Sequence, residues 1–416
     1  MSTSITRTRA LGALAIGAVA VGVLAGCSGG GAGGSGSTDA TGGTYTFWDP
    51  YPQYDASSDW AKVIDKCAAD AGVTVERTGF DTSDLTSKAL LAGQQGDSPD
   101  ILLIDNPAVS TLVEAGIVTA TDENGLQVGD VAENILGASV VDGKTYGVPI
   151  GANTLALYYN PSVLSAAGVD PSSIKDWSSL NSAIEKVVAS GKKGITFSGI
   201  GTEEGSFQFL PWFWGAGADL TQLDSSQAVS AVQLWTDWVK KGWAPNSVIN
   251  NTQTTSWQEF QTGDFGFAEN GTWQKAGAAK AGYEVMPIPA AKGGAAPAPT
   301  GGEFLTLPVQ KDSARYATSS KIVECLTSTA NVVDTDNTLN YIAATPEAQK
   351  AQLAKDPTLE PWIEAVGAAK ARTGDNLGVK YPVISEQLWT AVQNSLTGAQ
   401  SPQDALKAAQ QAASSK

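Results

Sequence analysis

The feature that most constrains the fold is a long alternation of short apolar strands with amphipathic helices, which begins at Thr44. Helical spacing of apolar residues separates one predicted strand from the next, as between TYTFW and VTVERT. Such alternation predicts an α/β fold with mostly parallel sheets that are covered by helices on both faces. The predicted strands lie at 44–48, 73–78, 101–105, 154–160, 193–197, 263–269, 283–289 and 303–308.

The chain is also longer than a single hydrophobic core supports. It has 416 residues, whereas single cores stop growing at about 250–300 residues. Two lobes are therefore expected. Predicted helices fall between the strands, and the part from about Ala314 onward is mainly helical; the helices before it span 57–71, 81–95, 108–115, 177–191, 225–241, 256–262 and 272–281.

The N-terminus predicts export and a lipid anchor. Arg7 and Arg9 precede an uncharged apolar run over 10–26, which ends in Leu-Ala-Gly before Cys27. The run is shorter than the roughly 20 apolar residues of a membrane span and fits a signal peptide. Its end matches a bacterial lipobox, so residues 1–27 are predicted as a lipoprotein signal peptide with Cys27 as the lipid attachment site. An ordinary signal peptide with a chance Cys is the alternative. Residues 28–43 then form a flexible Gly/Ser tether.

Composition excludes several classes of function. The chain has no His, which removes His-based catalytic triads and the commonest metal ligand. Cleavage would leave 24 basic against 42 acidic residues, a net charge of −18 (26 basic residues less two Arg). Such a charge argues against a nucleic-acid partner. Because GxGxxG and GxxxxGK[ST] are absent at strand–helix junctions, no nucleotide is expected, and we predict no cofactor and no metal.

Two cysteines remain beyond the lipobox. Cys67 and Cys325 are too far apart in sequence for a CxxC redox motif or a zinc ribbon. In an exported protein they can form a disulfide. Each also lies in an apolar helical pattern, where a buried free thiol is the alternative.

Six segments in one order resemble a known family. Across nearly all of 44–416 the chain resembles the family 1 extracellular solute-binding proteins, the maltose-binding-protein-like receptors of bacterial ABC sugar importers. The run DGKTYGVPIGANTLALYYNPSVLSAAGVD is similar to the most recognisable stretch of that family. The six segments are 46–49, 90–122, 142–170, 264–274, 300–308 and 396–411.

The resemblance implies a type II periplasmic-binding-protein-like fold, with two α/β lobes hinged around a ligand cleft. Lobe 1 would comprise 44–151 plus 302–345, and lobe 2 would comprise 152–301 plus 346–416. Cys67 and Cys325 would both lie on lobe 1, which favours the disulfide. The implied role is capture of a mono- or oligosaccharide by a monomer at the extracytoplasmic face of the cell membrane. The implied partner is the transmembrane permease of an ABC importer.

Aromatic and polar residues supply the candidate ligand contacts. Trp offers a flat apolar face for the C–H face of a sugar, and amides or carboxylates bind its hydroxyls. Trp60, Trp177, Trp235 and Trp238 are expected in the core because of their helical positions. By carry-over from the family, the predicted ligand contacts are Trp48, Asp49, Asn106, Asn153, Trp212, Trp214, Asn270, Trp273, Gly302, Glu303 and Trp389.

Several of these candidates have alternatives. Asp49 would also serve as a cap, Trp389 as a core residue, and only one of Trp212 and Trp214 is expected to face the cleft because they diverge on a helix. Glu303 departs from the aromatic residue of the family and would bind a hydroxyl or a cation. Trp273 is the strongest predicted stacking platform.

The resemblance implies a binding protein and not an enzyme. Ligand that bridges both lobes would shift an open–closed equilibrium toward the closed form. A secreted glycosidase with Asp49 and Glu303 as its carboxylates is one rival. The other rival keeps the fold and binds a polyamine, a peptide or a polyol. A phosphorylated ligand is disfavoured because no Arg cluster appears at the candidate strand ends.

Overall fold

A computed structural model describes residues 43–374 and 377–415, all of which belong to one compact unit. The predicted signal peptide, Cys27 and positions 28–42 of the predicted tether lie outside the described residues. Within the described residues, no helix has both the length and the apolar character needed to cross a membrane.

The strands of the described residues form two main sheets and a small hairpin. The first sheet has the order β2-β1-β3-β11-β6, the second has the order β10-β7-β9-β8, and β4 pairs with β5. The strands are β1 (Thr44–Asp49), β2 (Thr74–Gly79), β3 (Ile101–Asp105), β4 (Val140–Val141), β5 (Lys144–Thr145), β6 (Val148–Pro149), β7 (Leu155–Tyr159), β8 (Lys193–Thr196), β9 (Phe265–Gly271), β10 (Glu284–Met286) and β11 (Glu303–Thr306).

Helices cover both sheets, and most lie where the apolar spacing predicts them. They are α1 (Asp59–Asp70), α2 (Thr82–Gln95), α3 (Ala108–Glu114), α4 (Thr121–Asn124), α5 (Glu133–Leu136), α6 (Pro161–Ala166), α7 (Trp177–Ala189), α8 (Glu203–Gly215), α9 (Ser226–Lys240), α10 (Gln253–Phe260), α11 (Lys275–Ala281), α12 (Arg315–Thr327), α13 (Thr329–Leu339), α14 (Pro346–Lys355), α15 (Glu360–Gly367), α16 (Tyr381–Leu396) and α17 (Pro402–Ser414). Short 3₁₀ turns occupy Gly137–Ser139, Pro171–Ser173, Asn246–Ile249, Thr272–Gln274, Pro357–Leu359 and Gly378–Lys380.

The first sheet is buried on both faces, as its strand sequences imply. Along β3, Ile101 and Leu103 pack on the side of α1 and α12, whereas Leu102 and Ile104 pack on the side of α2 and α3. This alternation follows from the two-residue period of a strand. The second sheet is covered in the same way, and α8, α9, α16 and α17 form its larger core.

The sheets are mixed, which corrects the expectation of mostly parallel strands. In the first sheet β1 runs parallel to β2 and β3, but β11 is antiparallel to both β3 and β6. In the second sheet only β8 and β9 are parallel. The reversed direction arises because the chain leaves the first sheet after Pro149, builds the second sheet, and re-enters the first sheet from the opposite side at Glu303.

A disulfide joins Cys67 of α1 to Cys325 of α12. Both helices pack on one face of the first sheet. The Nδ2 of Asn331 lies 3.3 Å from the sulfur of Cys325. The fold therefore brings the two cysteines together as a disulfide, and the alternative of two buried free thiols is wrong.

Helix α8 is the main element that the sequence pattern did not predict. Pro211 and a run of aromatic residues lie within it, and its residues from Gly205 to Trp214 are buried almost without interruption. A helix buried on all sides has no polar face, so it lacks the amphipathic period that predicts helices. Helix α9 begins one residue later than predicted, because Ser225 is its N-cap and accepts from the amide of Ala228 through its side chain.

Candidate functional site

The two sheets are connected where four chain segments, around 152–153, 299–302, 342 and 370, pair with one another; we call this place the crossing. Asn153 pairs with Gly301 in an isolated β-bridge, Ala152 pairs with Ile342, and Pro299 pairs with Lys370. The carboxyl end of β3 meets the same place, since the amide of Asn106 donates to the carbonyl of Gly302. The candidate site is built around these crossings, next to the strand ends where open α/β sheets hold ligands.

Glycines allow these segments to approach so closely. Gly302 has φ +115°, and a Cβ there would lie 2.4 Å from the carbonyl oxygen of Gly151. A Cβ on Gly301 would lie 2.0 Å from Oδ1 of Asn153 and 2.9 Å from Cζ of Phe207. Predicted contact Gly302 is therefore at the site, and its first role is to let the backbones cross.

A buried arginine organises the carboxyl end of β3. Nη2 of Arg372 donates to Oδ1 of Asp105 and to Oδ1 of Asn106, both at 2.8 Å. Arg372 is 2% exposed. Asn106, a predicted ligand contact, also donates from Nδ2 to the carbonyl of Thr300 at 3.0 Å. Its amide is therefore occupied within the protein, and it supports the site through Arg372.

The same guanidinium reaches an acid on the second sheet's side. Nη1 of Arg372 donates to Oε1 of Glu203 at 2.6 Å, in the first turn of α8. The hydroxyls of Tyr381 and Ser385 also donate to Glu203. The ring of Phe207 lies 4.7 Å from Cζ of Arg372. Burial raises the pKa of Glu203, and the charge of Arg372 opposes that rise.

Glu303 lies at the start of β11 in a second polar cluster. Its Oε2 accepts from the hydroxyl of Tyr341 at 2.5 Å, and that hydroxyl lies 2.9 Å from the hydroxyl of Tyr51. Burial, followed by the nearby charge of Asp105, raises the pKa of Glu303 to about 7. A half-protonated carboxyl among phenols suits hydroxyl recognition better than binding of a bare cation.

Aromatic rings flank the crossing. Trp273 follows β9 and is partly exposed, with its ring centre 6.3 Å from that of Phe207. Its ring lies so close over Gly271 that a Cβ there would be 2.2 Å from Cζ3. Trp214 is nearly buried, and Nζ of Lys370 lies 5.3 Å from its ring centre. Of the pair Trp212 and Trp214, only Trp214 faces the crossing, as the divergence on a helix predicts.

Several unpartnered polar atoms lie at the crossing. Among the described residues, six buried side-chain atoms without a hydrogen-bond partner belong to segments that meet there or directly beside it. Buried polar atoms are normally hydrogen-bonded, so such a group marks a place that a ligand or water completes. The atoms are Asn153 Oδ1, Trp214 Nε1, Thr272 Oγ1, Thr300 Oγ1, Arg372 Nε and Thr373 Oγ1.

The structure corrects three predicted contacts. Asp49 is fully buried, and its oxygens accept from the amide of Tyr51, the indole of Trp60 and the guanidinium of Arg77. Asp49 therefore caps the turn after β1 and binds neighbouring side chains of the first sheet, in agreement with the alternative that it serves as a cap.

The other two corrected residues are likewise occupied. The Nε1 of Trp212 donates to Oε2 of Glu269 at 2.7 Å, and its ring packs edge-on against Trp238, 5.1 Å away. Asn270 is fully buried, donates to the carbonyl of Gln253 and accepts from the amide of Gly271. Neither side chain has a face or an atom left for a ligand.

Two further candidates stay predictions. Trp48 is the next-to-last residue of β1, is partly exposed, and packs its ring edge-on against Phe80. Trp389 lies partly exposed on α16, one helical turn beyond Ser385, and a Cβ on Gly201 would be 4.0 Å from its Cδ1. Of the tryptophans assigned to the core, Trp60, Trp235 and Trp238 are buried, whereas Trp177 is partly buried and donates to the carbonyl of Pro289.

The sequence analysis missed the residues at the centre of the site: Phe207, Glu203 and Arg372. One signal was available for Arg372, because only Arg77, Arg315 and Arg372 follow the N-terminal Arg7 and Arg9. Each of these three binds an aspartate at one end of a strand in the first sheet: buried Asp49, buried Asp100 or partly exposed Asp105. In a chain with so few Arg, each Arg of the folded part marks a carboxylate that is bound by a fork of donors.

Comparison with known proteins agrees with this architecture. The maltodextrin-binding protein MdxE of Bacillus subtilis is 29% identical over 226 residues, 51% of this chain and 52% of that protein. The chain thus spans little more than half the length of the curated relatives it matches.

Solved structures are similar over most of the chain. A solute-binding protein of an ABC transporter from Thermotoga lettingae, bound to α-D-tagatose, has a TM-score of 0.78 at 24% identity and covers 89% of this chain and 99% of its own. UgpB of Mycobacterium tuberculosis, bound to glycerophosphocholine, has a TM-score of 0.77 at 21% identity and covers 90% of this chain and 98% of its own. The similarity shows the shared two-lobed fold. The profile of the bacterial extracellular solute-binding proteins matches residues 62–361, and the chain therefore belongs to that family.

Proposed function

We propose that the chain is an extracytoplasmic substrate-binding lipoprotein of an ABC importer, which captures a neutral carbohydrate between its two lobes. The lobes would be 44–151 plus 302–345 and 152–301 plus 346–416. Lipid on Cys27 would hold the protein at the outer face of the cell membrane, and the closed form would deliver its ligand to the transmembrane permease.

The group of unpartnered polar atoms at the crossing is the observation that carries this proposal. It includes an amide oxygen on Asn153, an indole N–H on Trp214, and hydroxyls on Thr272, Thr300 and Thr373. These atoms are uncharged, and they include a hydrogen-bond acceptor, a donor and hydroxyls that do both. They therefore match sugar hydroxyls, which also donate and accept. Trp273 adds an apolar ring face next to them, as a sugar ring requires.

The charges at the site favour a neutral ligand over a charged one. A single arginine, Arg372, does reach the carboxyl end of β3, which raises the case of a phosphate ligand. Its charge is nevertheless taken up by Asp105 and Glu203, at 2.8 and 2.6 Å. The two carboxylates are in turn occupied by Arg372, so a polyamine would have to displace that guanidinium. A buried ion pair that loses one partner costs several kcal/mol, about 3–5.

The structure also counts against a glycosidase. That reading needs Asp49 and Glu303 as a catalytic pair on either side of a sugar bond. Asp49 is fully buried and held by Arg77 through two hydrogen bonds, which leaves it no access to a substrate. We therefore propose a receptor that returns its ligand unchanged.

Thermal unfolding of the full chain in detergent, with maltose, D-tagatose, glycerophosphocholine and spermidine added separately, tests the ligand class. A ligand that binds only the native state raises its unfolding temperature in a saturable way. We expect the sugars to do so and to be recovered intact. Stabilisation by spermidine or glycerophosphocholine alone, or recovery of hydrolysed sugar, would contradict the proposal.

Trp273→Ala tests the stacking platform with whichever sugar binds. Loss of a stacked indole should weaken binding about tenfold or more, since about 1.4 kcal/mol corresponds to tenfold. Titration calorimetry measures the affinity. The matched control is Trp243→Ala, a partly exposed Trp whose ring packs with Lys241. Equal affinities of the two variants would remove Trp273 from the site.

A further inference from the structure

Arg372 is placed so that its side chain holds both halves of the molecule at once. Asp105 ends β3 of the first sheet, and Glu203 opens α8, which packs on the second sheet. One guanidinium bonds both acids and also Asn106. No separation of the two sheets at this point can keep all of these bonds.

The backbone that carries Arg372 belongs to the crossing between the sheets. The amide of Thr300 donates to the carbonyl of Lys370 at 2.9 Å, and the amide of Lys370 donates to the carbonyl of Ala298 at 2.9 Å. Asn134 of α5 donates to the carbonyls of Val366 and Ala369. The backbone near Arg372 is therefore held at the crossing, and its side chain extends toward Asp105 of the first sheet and Glu203 beside the second sheet.

We propose that Arg372 is a latch between the lobes: a positioning residue that holds them closed by binding Asp105 on one and Glu203 on the other. The assignment of closure to ligand capture rests on the proposed function, but the latch itself needs no ligand. Ligand then enters a cleft whose closed form is already favoured, which raises its apparent affinity.

The chemistry of the group explains why an arginine would be selected for this role. Two carboxylates near each other repel when nothing lies between them, and a guanidinium between them converts that repulsion into two ion pairs. Its planar fork of five N–H donors can serve several acceptors in fixed directions, whereas a lysine ammonium is a single point of charge. Tyr381 and Ser385 fix the orientation of Glu203 from α16 and complete the second side of the latch.

A neighbouring contact shows that the closed arrangement extends beyond Arg372. The hydroxyl of Ser110, on α3 beside the first sheet, lies 3.5 Å from the carbonyl of Gly378, just before α16. This contact is long and single. Arg372, which is itself buried, supplies the charged interactions in this region, and the contact of Ser110 would be lost with them when the latch opens.

Hydrogen–deuterium exchange of the full chain without added sugar tests the latch. Arg372→Gln removes the charge and the fork, Arg372→Lys keeps the charge, and Lys192→Gln breaks an exposed ion pair with Asp264 as the control. We expect peptides over 105–114 and 377–385 to exchange about tenfold faster or more in Arg372→Gln, because opening exposes them. Arg372→Lys should be intermediate, and the control should match the unmodified chain.

Peptides over β1 and β3 report whether a variant unfolds instead of opening, and their exchange should not change. If Arg372→Gln unfolds globally, Arg372→Lys and Glu203→Gln are measured instead. Each of them should then exchange faster than the unmodified chain at 105–114 and 377–385. Unchanged exchange at 105–114 and 377–385 in a folded variant would overturn the latch, even if sugar binding were lost. Faster exchange there in a chain that binds none of the sugars would support the latch and overturn the proposed function.

Discussion

Two buried arginine–aspartate pairs in this molecule use the same chemistry for different ends. Arg77 and Asp49 lie on the adjacent parallel strands β2 and β1, and Arg77 also donates to the carbonyls of Tyr51 and Tyr54. All of these partners belong to one edge of the first sheet. Arg372 instead binds Asp105 at the end of β3 in the first sheet and Glu203 of α8, which packs on the second sheet, and its Nε is among the unpartnered atoms.

The difference teaches that partner location, and not burial, separates a structural pair from a functional one. Each pair has one nearly buried and one partly exposed side chain, 0% for Asp49 with 14% for Arg77 and 2% for Arg372 with 21% for Asp105, so exposure does not distinguish the pairs. The pair at Asp49 joins elements that move together and is complete. The group at Arg372 joins elements from the two sides of the crossing and retains an unused donor.

Breaking the structural pair should give the largest loss of stability. Arg77→Gln leaves the carboxylate of Asp49 buried beside neutral partners, and such a loss costs about 3–5 kcal/mol. Denaturant unfolding at pH 7 measures it. Because burial already raises the pKa of Asp49, the loss should shrink in acid, where the carboxyl is protonated. A loss below about 1 kcal/mol, which is typical of exposed ion pairs, would contradict the structural role of this pair.

Glu303 should give a smaller effect that depends on pH. Its pKa is raised from 4.5 to about 7, so the folded state holds its proton more tightly than the unfolded state. The favourable contribution of this proton is complete below pH 4.5 and is lost as pH rises to about 7. Unfolding at several pH values should show the stability of Glu303→Gln rising relative to that of the unmodified chain across that window, by about 3 kcal/mol at most. Parallel profiles would contradict the assignment.

Asp336 offers the smallest effect and sharpens the contrast, since no arginine reaches it. This fully buried carboxyl on α13 has neither oxygen hydrogen-bonded within the described structure, and burial raises its pKa. Asp336→Ala removes an unsatisfied group that costs about 1–3 kcal/mol, partly offset by lost packing. We expect a net gain of about 1 kcal/mol at pH 7.5 in denaturant unfolding, and less at pH 4.5. A loss at both pH values would reveal an unrecognised partner.

Much of the fold could be predicted because its signals are local. Strands such as β3 and helices such as α1 carry their period in adjacent residues, and the structure has them within a few residues of the predicted bounds. Strand direction could not be predicted in the same way. The antiparallel entry of β11 between β3 and β6 depends on contacts between residues about 150–200 positions apart, which no local period records.

The site could be predicted less completely than the fold. Asn153, Trp214, Trp273, Gly302 and Glu303 were found through family segments, and the structure brings all of them to the crossing or its flank. Asp49 and Asn270 show the converse failure, because a polar residue at a strand end serves a ligand or the fold depending on its neighbours. The role of Arg372 could not be predicted, because its partners Glu203 and Asp105 lie 169 and 267 positions away in the chain.

The late return of β11 has a consequence for how the chain folds after export. The first sheet has a gap between β3 and β6 until residues 303–306 arrive, and all four strands of the second sheet are made before that point. Pairing of distant segments must overcome a larger loop-closure entropy than local pairing. The second sheet is thus expected to assemble first and the first sheet last, although its N-terminal strands emerge earliest. Oxidation of Cys67 with Cys325 then occurs only after that final step, and its appearance would time the completion of folding.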